Sequence, residues 1–131
     1  MAKRVVILDD DEDIVSLCTH ILCKLGYEVH DCDWSNDLIN SLESIKPSVI
    51  FVDNSIGAAD GVGITQKIKA HHILGDTPVI YFSAHNQIKT LAEKAGADGY
   101  LEKPFIIKDL EKIVNSVTRN LNSNAREGNR N

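Results

Sequence analysis

Three short runs of β-branched and aromatic residues, Val5 to Leu8, Val49 to Val52 and Val79 to Phe82, constrain this chain more than any other feature. Each is too short for a helix, and none shows the apolar/polar alternation of a half-exposed strand. Strands of this kind are buried on both faces, which requires helices above and below them. The helices follow from their periods. Ile14, Leu17, Cys18, Ile21, Leu22 and Leu25 recur at three- and four-residue steps and stop at Gly26. Ser35 is placed to cap a second helix carrying Leu38, Leu42 and Ile45 and ended by Pro47. Ile64 and Ile68 mark a third after Gly61, and Ile88, Leu91, Ala92 and Ala95 a fourth closed by Gly96. Leu110, Ile113, Val114, Val117 and Leu121 make the fifth.

Two weaker strands, Tyr27 to Cys32 and Gly99 to Leu101, complete the alternation, and their mixed character suits sheet edges. The expectation is an α/β fold, a doubly wound five-stranded parallel sheet in three layers, whose order 2-1-3-4-5 puts the most apolar strands in the middle. At 131 residues the chain has room for one domain. We place that domain at residues 1–121, with 122–131, which lack periodicity and apolar content, as a frayed polar tail or linker stub.

The net charge of −5 is opposite in sign to the field that attracts nucleic acid, so direct nucleic-acid binding is disfavoured. No stretch is long and apolar enough for a membrane span or a signal-peptide core, and a cytoplasmic location without membrane contact is expected. Cys18, Cys23 and Cys32 lack metal-ligand or redox spacing and read as reduced packing residues. His71-His72 follows the third helix, away from the strand ends where chemistry is expected, and reads as a solvated helix end. Tyr27 and Trp34 are too few and too separated for a base-stacking platform and read as packing residues.

In open parallel sheets ligands bind beyond the carboxyl ends of the strands, where strand order reverses. The first strand ends in Asp9-Asp10-Asp11, the third in Asp53, the fourth in Ser83, and Lys103-Pro104 follows the fifth. Each alone has a plain reading. Acids at a helix start cap free N–H groups, Asp53-Asn54-Ser55 is turn-like, and Lys-Pro after an edge strand is a turn with a possible cis peptide. Together they crowd negative charge, at several kcal/mol of repulsion per pair for an effective dielectric near about 20, and so call for a compensating cation. Mg²⁺, which takes a few carboxylates plus waters and a phosphate, matches these oxygens. Lys103 adds a fixed positive charge, and the Ser83 hydroxyl can donate to a phosphoryl oxygen.

These residues resemble the receiver domain of response regulators, the CheY-like module of two-component signalling, over roughly residues 4 to 120. The resemblance lies in order and spacing: Asp9 and Asp10 after the first strand, Asp53 after the third with Asp60-Gly61 following, Ser83 thirty positions beyond Asp53, then Tyr100 and Lys103-Pro104. It implies a flavodoxin-like, CheY-like architecture and a switch that is not an enzyme toward other substrates, catalysing only its own phosphorylation and dephosphorylation. By resemblance, Asp53 accepts a phosphoryl group from a histidine kinase or histidine phosphotransfer protein. Asp10, Asp53 and the Ser55 backbone carbonyl hold Mg²⁺, Asp9 acts through a bound water, and Lys103 pairs with phosphoryl oxygens. Ser83 and Tyr100 then move, reshaping the face of helix four, strand five and helix five for a downstream effector protein. The chain is expected to be a monomer or weak dimer.

Many receivers carry Pro four positions after the phosphorylated Asp; Gly57 stands there in this chain, and a more mobile loop is expected. Ser55 and His85, two positions after Asp53 and Ser83, flank the site and are candidates for tuning how readily water attacks the acyl phosphate. Two other functions compete. Asp9-x-Asp11 after an apolar strand resembles the nucleophile motif of haloacid-dehalogenase-type phosphatases, but Asp13 stands where Thr or Val is usual and little room is left for a cap domain. A phosphorylation-dead receiver scaffold is opposed by the complete set of acids, Ser and Lys.

Overall fold

The computed structural model describes residues 3–30, 32, 37–56 and 59–130, with backbone alone at 55, 59 and 119–130. The three apolar runs are the strands β1 (Lys3–Leu8), β3 (Val49–Asp53) and β4 (Val79–Ser83), and the weaker ones are β2 (Tyr27–His30) and β5 (Gly99–Glu102). All pair in parallel, in the order β2-β1-β3-β4-β5. The expected doubly wound, CheY-like sheet is thus observed, with the mixed strands at its edges. The helices are α1 (Glu12–Lys24), α2 (Leu38–Ile45), α3 (Gly61–Ala70), α4 (Ile88–Ala95) and α5 (Ile107–Arg130).

Every residue from Val5 to Leu8, Val49 to Val52 and Val79 to Phe82 is buried. Burial on both faces explains their unbroken apolar character, and each large side chain so buried contributes about 1.5–3 kcal/mol. One core joins Val5, Ile7, Phe51, Ile80 and Phe82 to α1 and α5; on the opposite face Val6, Leu8, Ile50 and Val52 pack toward α2 and α3. Tyr81 lies in a third cluster with Val62 and the α4 residues Ile88, Ala92 and Ala95. Gly96 ends α4 at φ 81°, a left-handed conformation that suits glycine.

Three local features depart from the sequence reading. A two-residue hairpin pairs Ser55–Ile56 with Ala59–Asp60 in antiparallel fashion, a piece too short to leave a period in the sequence. The backbone of α5 continues through the expected frayed tail to Arg130. Once a helix is nucleated each further residue adds one hydrogen bond for one residue fixed, and no proline interrupts this segment. Cys18 and Cys32 are buried as expected, but Cys23 is exposed, since it lies on the outer side of α1. Tyr27 packs in the core. Ser35, Trp34 and the Gly57 loop lie outside the described residues.

Candidate functional site

The register of the sheet determines which groups meet. Leu8 pairs with Val52, Asp53 with Phe82, and Ser83 with Glu102, so β1, β3, β4 and β5 end at one rim. The acidic run divides its work there. Asp11 is the N-cap of α1, accepting from the N–H of Asp13 at 3.0 Å and of Ile14 at 3.4 Å. Asp9 is instead buried and accepts the Asp11 N–H at 2.9 Å. Carboxylate oxygens of Asp9, Asp10 and Asp53 all lie within 4.8 Å of one another. At that spacing each pair of ionised carboxylates repels by about 3–4 kcal/mol at an effective dielectric near 20.

Lys103 answers part of that charge. Its Nζ donates to Asp9 Oδ2 at 2.7 Å and to Asp53 Oδ1 at 2.9 Å, and sits 4.5 Å from the centre of the Phe82 ring. The Lys103 N–H also donates to the Ser83 carbonyl at 2.9 Å, and the Lys103-Pro104 peptide is cis. Burial pulls the Lys103 ammonium down, but Asp9 and Asp53 outweigh it and hold the group above its ordinary 10.5. Burial pushes the Asp9 carboxyl above its ordinary 3.8, despite the lowering effect of Lys103 and the Asp11 N–H. The same ion pair favours the charged form of both groups. It prevails over burial on Lys103, which has two carboxylates, and not on Asp9, which shares one ammonium.

Hard oxygen donors clustered this closely could hold a divalent metal ion. Asp9 and Asp10 line an open cavity of about 580 Å³ together with Glu12 and Ser16, and Asp10 is exposed to solvent there. Ser83, at the end of β4, is buried, and its Oγ accepts the His85 N–H at 3.0 Å. His85 is exposed, and its Nδ1 accepts the Gln87 N–H at 3.0 Å at the entrance to α4. Tyr100 lies on β5 with 41% of its surface exposed. Ser55 belongs to the short hairpin that leaves the rim.

Sequence reasoning missed two neighbours of the site. The hydroxyl of Tyr81, a wholly buried residue on β4, donates to Asn54 Oδ1, immediately after Asp53. Burial, followed by the charges of Asp60 and Asp53, pushes that phenol up to about 12. Cys18 lies beneath the acids, and burial together with the Asp9 charge pushes its thiol up to about 11, so it stays protonated. The polar tip of Tyr81 within an apolar run was the available signal. His71 is also more than a solvated helix end. Its Nε2 lies 2.8 Å from Glu43 Oε1, and its Nδ1 accepts the N–H groups of Ile73 and Leu74 at 3.2 and 3.3 Å, far along the chain from the strand ends.

The profile described as "Response regulator receiver domain" matches residues 5–115. The chain is 30% identical over 126 residues to the transcriptional regulatory protein PrrA of Mycobacterium tuberculosis, covering 95% of this chain and 53% of PrrA. It is 26% identical over 121 residues to the alkaline phosphatase synthesis transcriptional regulatory protein PhoP of Bacillus subtilis, covering 91% of this chain and 50% of PhoP. It thus spans about half the length of these curated relatives. Among solved structures it is similar in fold to the receiver domain of a Pseudomonas aeruginosa sensor histidine kinase, which has a magnesium ion coordinated in its active-site cleft. The TM-score is 0.79 at 22% identity, covering 90% of this chain and 98% of that one. With the sheet order, the rim of acids and the profile match all on one segment, this chain belongs to the response-regulator receiver family, the signalling domains of two-component systems.

Proposed function

We propose that the chain is a phosphorylation-dependent switch in which Asp53 accepts a phosphoryl group from a histidine kinase or histidine phosphotransfer protein. The observation that carries this reading is the meeting of Asp53 with Asp9, Asp10 and Lys103 at one rim of the sheet. Asp10, Asp53 and the Ser55 carbonyl would hold Mg²⁺, with Asp9 acting through a water. Bound there, Mg²⁺ supplies the positive charge that lets a phosphoryl group approach three acids. An Asp53 carboxylate oxygen attacks phosphorus, the phosphorus–nitrogen bond of the donor histidine breaks, and its electron pair returns to the imidazole. Lys103, already paired to Asp53, follows the charge onto the phosphoryl oxygens.

Ser83 is the hydroxyl that turns to the new phosphoryl group, exchanging the His85 N–H it now accepts. Tyr100, exposed on β5, moves inward and reshapes the α4, β5 and α5 face, which a downstream effector protein reads. Ser55 and His85 tune the lifetime of the acyl phosphate. Direct nucleic-acid binding is disfavoured by the net charge of −5, a cytoplasmic setting fits a kinase-fed switch, and the chain acts as a monomer or weak dimer. Among the described residues no helix is long and apolar enough to cross a membrane. Asp11, spent on the α1 cap, is unsuited to the role that a haloacid-dehalogenase-type phosphatase gives its second Asp.

Intact mass measurement after incubation with acetyl phosphate tests this reading. One added phosphoryl group is expected on the wild type with Mg²⁺, and none without Mg²⁺ or on Asp53→Ala. No addition to the wild type leaves only a scaffold.

A further inference from the structure

We propose that Tyr81 and Asn54 are positioning residues for the phosphoacceptor. The Tyr81 hydroxyl, reaching from β4, holds the turn that carries the Asp53 carboxylate and the Ser55 carbonyl in the shape that takes a divalent cation. This rests on the reading of the pocket given above.

Tyr81 is wholly buried among Val62, Ile88, Ala92 and Ala95, where phenylalanine would fill almost the same space. Burying its hydroxyl is unfavourable unless a partner is supplied, and Asn54 Oδ1 is that partner. The bond fixes the side chain of the residue directly after Asp53. The main chain of the same turn is gripped from the other side: the Gly61 N–H, at the start of α3, donates to the Asn54 carbonyl at 2.9 Å. Contact there is so close that a Cβ on Gly61 would lie 2.1 Å from the Asp53 carbonyl oxygen and 2.9 Å from Asn54 Cα. Asp60 anchors that helix start by accepting the Val62 N–H at 3.1 Å.

The turn therefore has a side-chain hold from β4 as well as a main-chain hold from α3. Ligand groups must be kept within about 0.5 Å of their working positions. Releasing one hold loosens the ligands before it alters the chemistry. The loss should appear first as weaker cation affinity, and only slightly in the transfer rate once the cation saturates.

Tyr81→Phe, Asn54→Ala and the double variant test this. Calorimetry reads Mg²⁺ affinity, hydrogen exchange of the Gly61 amide reads the turn without metal, and acetyl phosphate at saturating Mg²⁺ reads the rate. Each single variant should bind Mg²⁺ about three- to tenfold more weakly, the loss of roughly one hydrogen bond, with the saturated rate within about twofold of wild type. Gly61 exchange should quicken in both, and the double variant should be no worse than either single one. A Tyr81→Phe protein that melts lower but keeps its Mg²⁺ affinity and Gly61 exchange overturns the proposal, as does full additivity of the two substitutions. Should the wild type bind Mg²⁺ but take no phosphoryl group, the proposed function fails while the affinities still decide this point. A wild type that binds no Mg²⁺ overturns both.

Discussion

Burial makes the charged form of Asp9 costlier than it is in water. Its carboxyl lies above 3.8 in the folded chain because burial outweighs the Lys103 ion pair. Between 3.8 and that raised value the folded state binds more protons than the unfolded one, so this group's contribution to stability falls as pH rises. Lys103 shares that slope but contributes with the other sign: its raised value adds stability that is complete below 10.5 and is lost as pH climbs through the folded value. Urea titrations of the metal-free protein just above pH 3.8 should therefore show a midpoint that falls more, or rises less, with pH in the wild type than in Asp9→Asn; an equal slope in both proteins contradicts this origin. The identity of the acids was readable because their chemistry is carried by residue type and strand position. The division between Asp9, which lines the pocket, and Asp11, which caps α1, was not legible from residue type, since both roles ask for the same carboxylate; the family resemblance alone singled out Asp9 and Asp10. The Tyr81–Asn54 contact was hidden for another reason: it joins residues 27 positions apart that no local pattern relates.

Elements were legible in proportion to the length of their periods. The central strands, buried on both faces, and α1, α4 and α5, with clear apolar stripes, stand where the sequence puts them. The Ser55–Ile56 and Ala59–Asp60 hairpin has no period to read, and the backbone of α5 runs on through a segment without an apolar stripe in the sequence. Within α3, Thr65 faces the core completely buried, and its Oγ1 finds no hydrogen-bond partner among the described residues. An orphaned hydroxyl in that position is a cost borne by the helix whose Gly61 N–H holds the Asp53–Asn54 turn. Thr65→Val should stabilise the protein by about 1 kcal/mol and raise Tm by about 3–5 °C. A lower Tm by calorimetry would mean that the hydroxyl has a partner in solution.

For the whole molecule, one sheet does two jobs: its apolar interior sets the register, and the register brings Asp9, Asp10, Asp53 and Lys103 from separate strand ends to one rim. The proposed boundary after Leu121 rests on residues 122–131, which carry no apolar period in the sequence. A chain ending at residue 121 should keep its Tm within about 2 °C of the full chain, whereas a fall of about 8 °C would show that the final turns pack. The central claim is narrower, that charge compensation at this rim directs a phosphoryl group to one carboxylate. Borohydride trapping after brief exposure to acetyl phosphate, followed by peptide mass mapping, tests it most directly. The reduced residue should be Asp53, and only when Mg²⁺ was present. Reduction at Asp9 or Asp10, or equal trapping without the cation, would contradict it.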